Sequence, residues 1–136
     1  MVQPTMHDVL FLGQKSEEAT ERDRQVMTDL RDTLNTHRDH CVGMAANMIG
    51  RKKRIIIVSL GFMDLIMVNP VIEKKSGAYE TSEGCLSLLG ERETKRFQKI
   101  TVRYQDESFQ THTQEYEGRI AQIILHECDH LEGVII

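Results

Sequence analysis

Two histidines four residues apart, with a glutamate directly after the first, make His126-Glu127-Cys128-Asp129-His130 the stretch best equipped for chemistry. If it is helical, a rotation of about 100° per residue puts His130 roughly 40° around the axis from His126, with Glu127 on the same third of the surface. Two imidazoles so placed can share one metal ion, and the carboxylate beside them suits a general base for a water bound to that ion. The competing reading is a buried helix whose histidines only hydrogen-bond. Residues 118–133 carry a glycine at each end and are apolar nearly all round (Ile120, Ala121, Ile123, Ile124, Leu125, Cys128, Leu131), so this helix should cross the interior. Two histidines, Glu127 and Asp129 on such a helix would be costly to bury unless paired or metal-bound, and this favours the metal.

A catalytic metal usually takes three protein ligands and keeps one position for water. In Glu83-Gly84-Cys85-Leu86-Ser87, Cys85 offers a thiolate from a loop or strand end between two predicted strands. On chemistry alone, His112, Glu83 or another residue remains an alternative third ligand. Cys128 falls nearly opposite His130 on the helix and reads as packing, and Cys41 also reads as structural.

The remaining elements must position these groups. A chain of 136 residues is long enough for one domain, residues 1–136, with a real core. A net charge of -4 gives no global pull toward nucleic acid or an anionic membrane. No apolar run has the form of a signal peptide or the length of a membrane span, so a soluble, cytoplasmic protein is expected. Three cysteines without a secretion signal imply reduced thiols.

Along the chain, residues 9–12 read as an arm or short strand. An amphipathic helix is predicted from Ser16, its cap, to about residue 38, with Glu17 and Glu18 at its positive end and Val26, Leu30, Thr33, Leu34 and His37 on one stripe. The small residues of 41–50 allow close backbone approach, and the basic run 51–54 reads as a solvated turn. Residues 55–60 and 65–68 predict buried strands, Asn69-Pro70 a break, 74–79 an exposed turn around Gly77, 99–105 a half-buried strand, and 108–116 a polar strand. The expected class is α+β: a mostly antiparallel sheet packed around a central C-terminal metal-binding helix, with an N-terminal amphipathic helix.

Three stretches taken together resemble the signatures of the peptide deformylase family. They are Gly43-Met44-Ala45-Ala46, Glu83-Gly84-Cys85-Leu86-Ser87 and His126-Glu127-Cys128-Asp129-His130, in the family's order and spanning residue 41 to the end. The resemblance implies that Cys85 completes a site with His126 and His130. The ion it implies is divalent, natively ferrous iron, with zinc or nickel able to take the same place. It also implies a cytoplasmic hydrolase that removes formyl from the N-terminal formylmethionine of new proteins, near the ribosome. Metal-bound hydroxide would attack the formyl carbon, Glu127 serving as general base and then acid. By the same resemblance the Leu86 N–H would stabilise the oxyanion, Val42 and Gly43 would bond the peptide backbone, Ile123 would help form the methionine pocket, and Arg92 would lie near it. Glu83 and Asp129 would orient ligands or, equally, form structural ion pairs.

Two departures bear on activity. The family's first signature opens with glycine and closes with glutamine, where this chain has Cys41 and Met48. That glutamine's amide is an oxyanion donor facing the substrate, which a thioether cannot replace, and losing one such donor costs about 10² to 10³ in rate. Asn47 is adjacent, but a neighbouring side chain usually points elsewhere. The alternative reading is therefore a weak or silent relative that binds metal and N-terminal Met peptides; a third is another amidase or peptidase built on the same centre. The intact Glu127 and the three ligands favour the enzyme.

Overall fold

The computed structural model describes residues 1–39, 41–85 and 88–134, with the side chains at 85, 88 and 89 outside that description. Its elements are α1 (Val9–Leu12), α2 (Arg24–Thr36), β1 (Gly43–Ala45), β2 (Ile55–Ser59), β3 (Asp64–Cys85), β4 (Leu88–Gln105), β5 (Thr111–Glu117) and α3 (Gly118–Leu131). The five strands form one sheet in sequence order, every neighbouring pair antiparallel. Helix α3 packs against β1, β2, β4 and β5, so the α+β class and the central C-terminal helix are as expected.

The run Ile55 to Val58 is fully buried because β2 is covered by both α2 and α3. A strand screened on both faces has no polar side to alternate, hence the unbroken β-branched run. Helix α2 brings Val26, Met27, Leu30 and Leu34 into the same core. No helix among the described residues is long and apolar enough to cross a membrane.

Several local expectations are corrected. Residues 9–12 form a short helix, not a strand, with Asp8 Oδ1 accepting from Leu10 N at 3.0 Å. Ser16 does not cap the first long helix. Its N–H donates to Leu131 O at 2.7 Å, and Thr20 caps instead, sharing a reciprocal box with Asp23 at the head of the 3₁₀ turn Glu21–Asp23. Residues 74–79 are not a turn, since β3 runs through them in register with β4. At Gly77 a Cβ would sit 2.9 Å from the Cβ of Gln98 and φ is +72°, so the glycine serves strand crossing rather than chain reversal. Asn69, also at positive φ, marks a register shift between Val68 and Val71 where a break was predicted. Arg54 is not simply solvated: it donates to Ser16 O and Leu131 O and pairs with Glu132 at 2.6 Å.

These contacts fix the far end of α3. The carbonyls of its last turn have no intrahelical partners, and here groups from separate parts of the chain supply them. Asn47 Nδ2 donates to His130 O at 2.8 Å, while Ser16 N and Arg54 share Leu131 O. The chain then leaves through Gly133, where φ is +76° and a Cβ would lie 2.6 Å from Gly13 O.

Candidate metal centre

His126, Glu127 and His130 are all buried on α3, and their ligand atoms lie within 4.8 Å of one another. The two Nε2 atoms are 3.1 Å apart. Two nitrogens each about 2.1 Å from a tetrahedral ion would be separated by about 3.4 Å, so the pair is already close to ligating geometry. The Nδ1 of His126 is engaged on the other side, donating to Glu83 Oε1 at 2.7 Å, which leaves Nε2 aimed at the cluster.

Glu83 ends a buried ionic chain. Its carboxylate accepts from Arg96 Nη2 at 2.7 Å, from Arg96 Nε at 2.9 Å and from Gln122 Nε2 at 2.8 Å, and Arg96 Nη1 reaches on to Asp129 at 2.7 Å. Burial alone would raise the Glu83 pKa; the hydrogen bonds from His126, Arg96 and Gln122 outweigh it and bring the group to about 2. A fixed carboxylate on the remote ring nitrogen orients a ligating imidazole and raises its basicity. The pKa of His130 is lowered as well, to about 3, by burial and then by His126, which keeps this imidazole neutral and able to ligate.

Glu127 is 4% exposed, and its Oε1 is buried with no hydrogen-bond partner among the described residues. Burial raises its pKa to about 7. A buried carboxylate oxygen without a partner among the described residues, beside two converging imidazoles, is costly in an inert core and suits a site that takes an ion and water. Gly43 makes the close approach possible: a Cβ there would meet Ile123 Cγ2 at 2.8 Å, Glu127 Oε2 at 3.1 Å and Ile57 O at 3.3 Å.

A cleft of about 340 Å³ opens onto this cluster. Val42, Gly43, Met48 and Ile123 line it, together with His126 and Glu127. Arg92 does not line it; it is half-buried on β4, opposite Glu83 in the ladder. Cys85 is the last residue of β3, with Gly84 beside it at the cleft, but its side chain lies outside the described atoms. Leu86 also lies outside the described residues. Among the third-ligand alternatives, Glu83 is committed to His126 and Arg96, and His112 stands exposed against Asp106 at 2.7 Å. Asn47 is turned away to the His130 carbonyl, so its amide does not stand in for the glutamine absent at 48.

The polypeptide deformylase family model matches residues 4–136. The chain belongs to that family. Its members are metal-dependent hydrolases that remove the N-formyl group from new proteins. A peptide deformylase of Clostridium beijerinckii is 55% identical over 136 residues, covering all of both chains. One from Thermoanaerobacter pseudethanolicus is 36% identical over 126 residues, covering 91% of this chain and 79% of that protein. An actinonin-bound class I type b peptide deformylase from Acinetobacter baumannii superimposes with a TM-score of 0.89 at 26% identity, covering 99% of this chain and 95% of that one.

Sequence reasoning missed Arg96 and Gln122. Arg96 ends a mixed-charge run, Glu91 to Arg96, that gives no sign of burial. Gln122 did carry a signal: it is a polar residue four places before His126, on the helix face that holds the ligands.

Proposed function

We propose that residues 1–136 form a single deformylase domain that hydrolyses the formyl group from N-terminal formylmethionine, with His126, His130 and Cys85 as ligands of one divalent ion. The observation that carries this is the convergence of the two Nε2 atoms, 3.1 Å apart, beside Glu127 Oε1, which has no partner among the described residues. An ion bound there supplies acidification of a water ligand and polarisation of the formyl oxygen. Glu127 takes the proton of the attacking water at Oε1 or Oε2 and returns it to the departing amine. The Leu86 N–H donates to the developing oxyanion. Val42 and Gly43, which line the cleft, hold the peptide backbone, and Ile123 forms part of the methionine pocket; Arg92, which does not line the cleft, lies on β4 opposite Glu83.

Ferrous iron is the proposed native ion, with zinc or nickel able to replace it; a thiolate with two imidazoles accepts all three. Work in the cytoplasm on nascent chains near the ribosome follows from the substrate. The Acinetobacter relative of the same fold, which is actinonin-bound, supports ligand binding by this chain. Met48 favours a second reading, a slow or silent binder of metal and methionyl peptides, because it lines the cleft with a thioether where an amide donor is absent. Anaerobic loading with iron followed by assay on a formyl-Met peptide decides between them, with Glu127→Gln as control. Turnover well above that control is expected; an ion-loaded protein no faster than the control leaves only the binder.

A further inference from the structure

One face of α3 serves both the cleft and the ion. Arg119, Gln122, Ile123, His126 and Glu127 recur at the spacing of a single helix face, and all five line the cleft. Gln122 stands apart among them. A pocket for an unbranched apolar side chain gains from an apolar wall, yet here the wall carries a half-buried primary amide. That amide is not directed only at the cleft: its Nε2 donates to Glu83 Oε2 at 2.8 Å. Glu83 in turn accepts the His126 Nδ1 proton on its other oxygen at 2.7 Å. Apart from Gln122, the groups of the described residues that hold this carboxylate are His126, which it must orient, and Arg96, which donates through Nε and Nη2 and is shared with Asp129.

We propose that Gln122 is a positioning and specificity residue that couples the cleft wall to the His126 ligand through Glu83. The inference rests on the deformylase reading for its substrate side and on the ion site alone for its positioning side. Without the amide, Glu83 Oε2 keeps only Arg96 Nε at 2.9 Å among the donors of the described residues, so the carboxylate that steers the ring is held less firmly. With the amide, the pocket is more polar than an apolar side chain prefers, so grip on the first residue is exchanged for rigidity of the ligand.

Two variants separate the effects. Gln122→Met keeps length and removes the donor, while Gln122→Asn keeps an amide that is one methylene too short. With zinc as the loaded ion, transfer to a chelator reads the positioning role without any turnover. Both variants are expected to release zinc about tenfold faster than the parent. On formyl-Met peptides the Met variant should combine a lower kcat with a KM reduced about threefold, and the Asn variant should lower kcat without that gain in KM. Zinc release unchanged in both variants overturns the positioning role, and an unchanged KM in Gln122→Met overturns the specificity role. In a Glu83→Gln background, Gln122→Met should accelerate release no further; an additive effect overturns the route through Glu83. A parent without turnover refutes the deformylase reading and leaves the zinc-release result to decide the positioning role by itself.

Discussion

At the scale of single residues, Glu127 is the group whose environment is least like water. Its carboxyl is held at about 7 by burial, against an ordinary value of 4.5. A group with a raised pKa in the folded state contributes stability that is full below 4.5 and lost as pH rises through 7. Two neighbours have the opposite sign: His130, lowered to about 3, and Glu83, lowered to about 2, each contribute stability that is lost as pH falls. A whole-protein pH profile therefore mixes opposing trends, and a difference between two proteins isolates Glu127. Metal-free Glu127→Gln should match the parent's melting temperature near pH 4.5 and exceed it above pH 7, by at least about 2 °C. Parallel profiles would show that the carboxylate is not destabilising when ionised. Met48 carries the complementary prediction. It is 1% exposed, lines the cleft, and its Sδ accepts from Ala45 N at 3.3 Å. A glutamine there can keep that contact through its oxygen and offer its amide to an oxyanion. Met48→Gln should raise kcat on a formyl-Met peptide about tenfold or more, and an unchanged kcat would mean another donor already fills that role.

Among elements, the decisive junction joins β3, β4 and α3. Arg96 on β4, 2% exposed, links Glu83 on β3 to Asp129 on α3. Removing one partner of a buried ion pair costs about 3–5 kcal/mol because a charge is left uncompensated. Arg96→Leu should therefore destabilise by about that amount in denaturant unfolding, and Arg96→Lys should recover only part, since a point charge cannot serve Glu83 and Asp129 in the same fork. A loss under 1 kcal/mol would show the chain of charges to be dispensable. This junction also marks the limit of what could be read beforehand. Helix α3, the buried strand β2 and the partial strands at 65–68 and 99–105 were legible because burial writes a period into the apolar residues. Strand β3 outruns its reading toward its C-terminal end and β4 toward its N-terminal end, since along Lys74 to Ser82 and Glu91 to Lys95 most side chains face solvent and hydrogen bonding to the partner strand, not burial, sets the conformation. The site divides likewise. His126, His130 and Glu127 are close because they share a helix, whereas Arg96 reaches Glu83 only through a strand register that single residues do not declare.

For the whole molecule, the cost of the site is spread over the ties that hold α3 in place. Its last carbonyls are satisfied by Asn47, Ser16 and Arg54, and its middle is clamped by Glu83 and Arg96, so α3 is anchored to regions far apart in sequence. The buried Glu127 Oε1, which has no hydrogen-bond partner among the described residues, is a group that an ion and its water would satisfy. Binding confined to the folded state stabilises by RT ln(1 + [L]/Kd), about 2.7 kcal/mol at a free ion concentration of 100 Kd. Zinc or nickel added to metal-free protein should therefore raise its melting temperature with each tenfold rise in free ion. His126→Ala and His130→Ala should abolish the shift, while Cys85→Ala should weaken it strongly if the thiolate is the third ligand. Magnesium, which prefers oxygen ligands, should give no shift at the same concentrations. A melting temperature indifferent to zinc, or one that rises equally in the histidine variants, would place ion binding elsewhere and leave the α3 cluster as a set of buried hydrogen bonds.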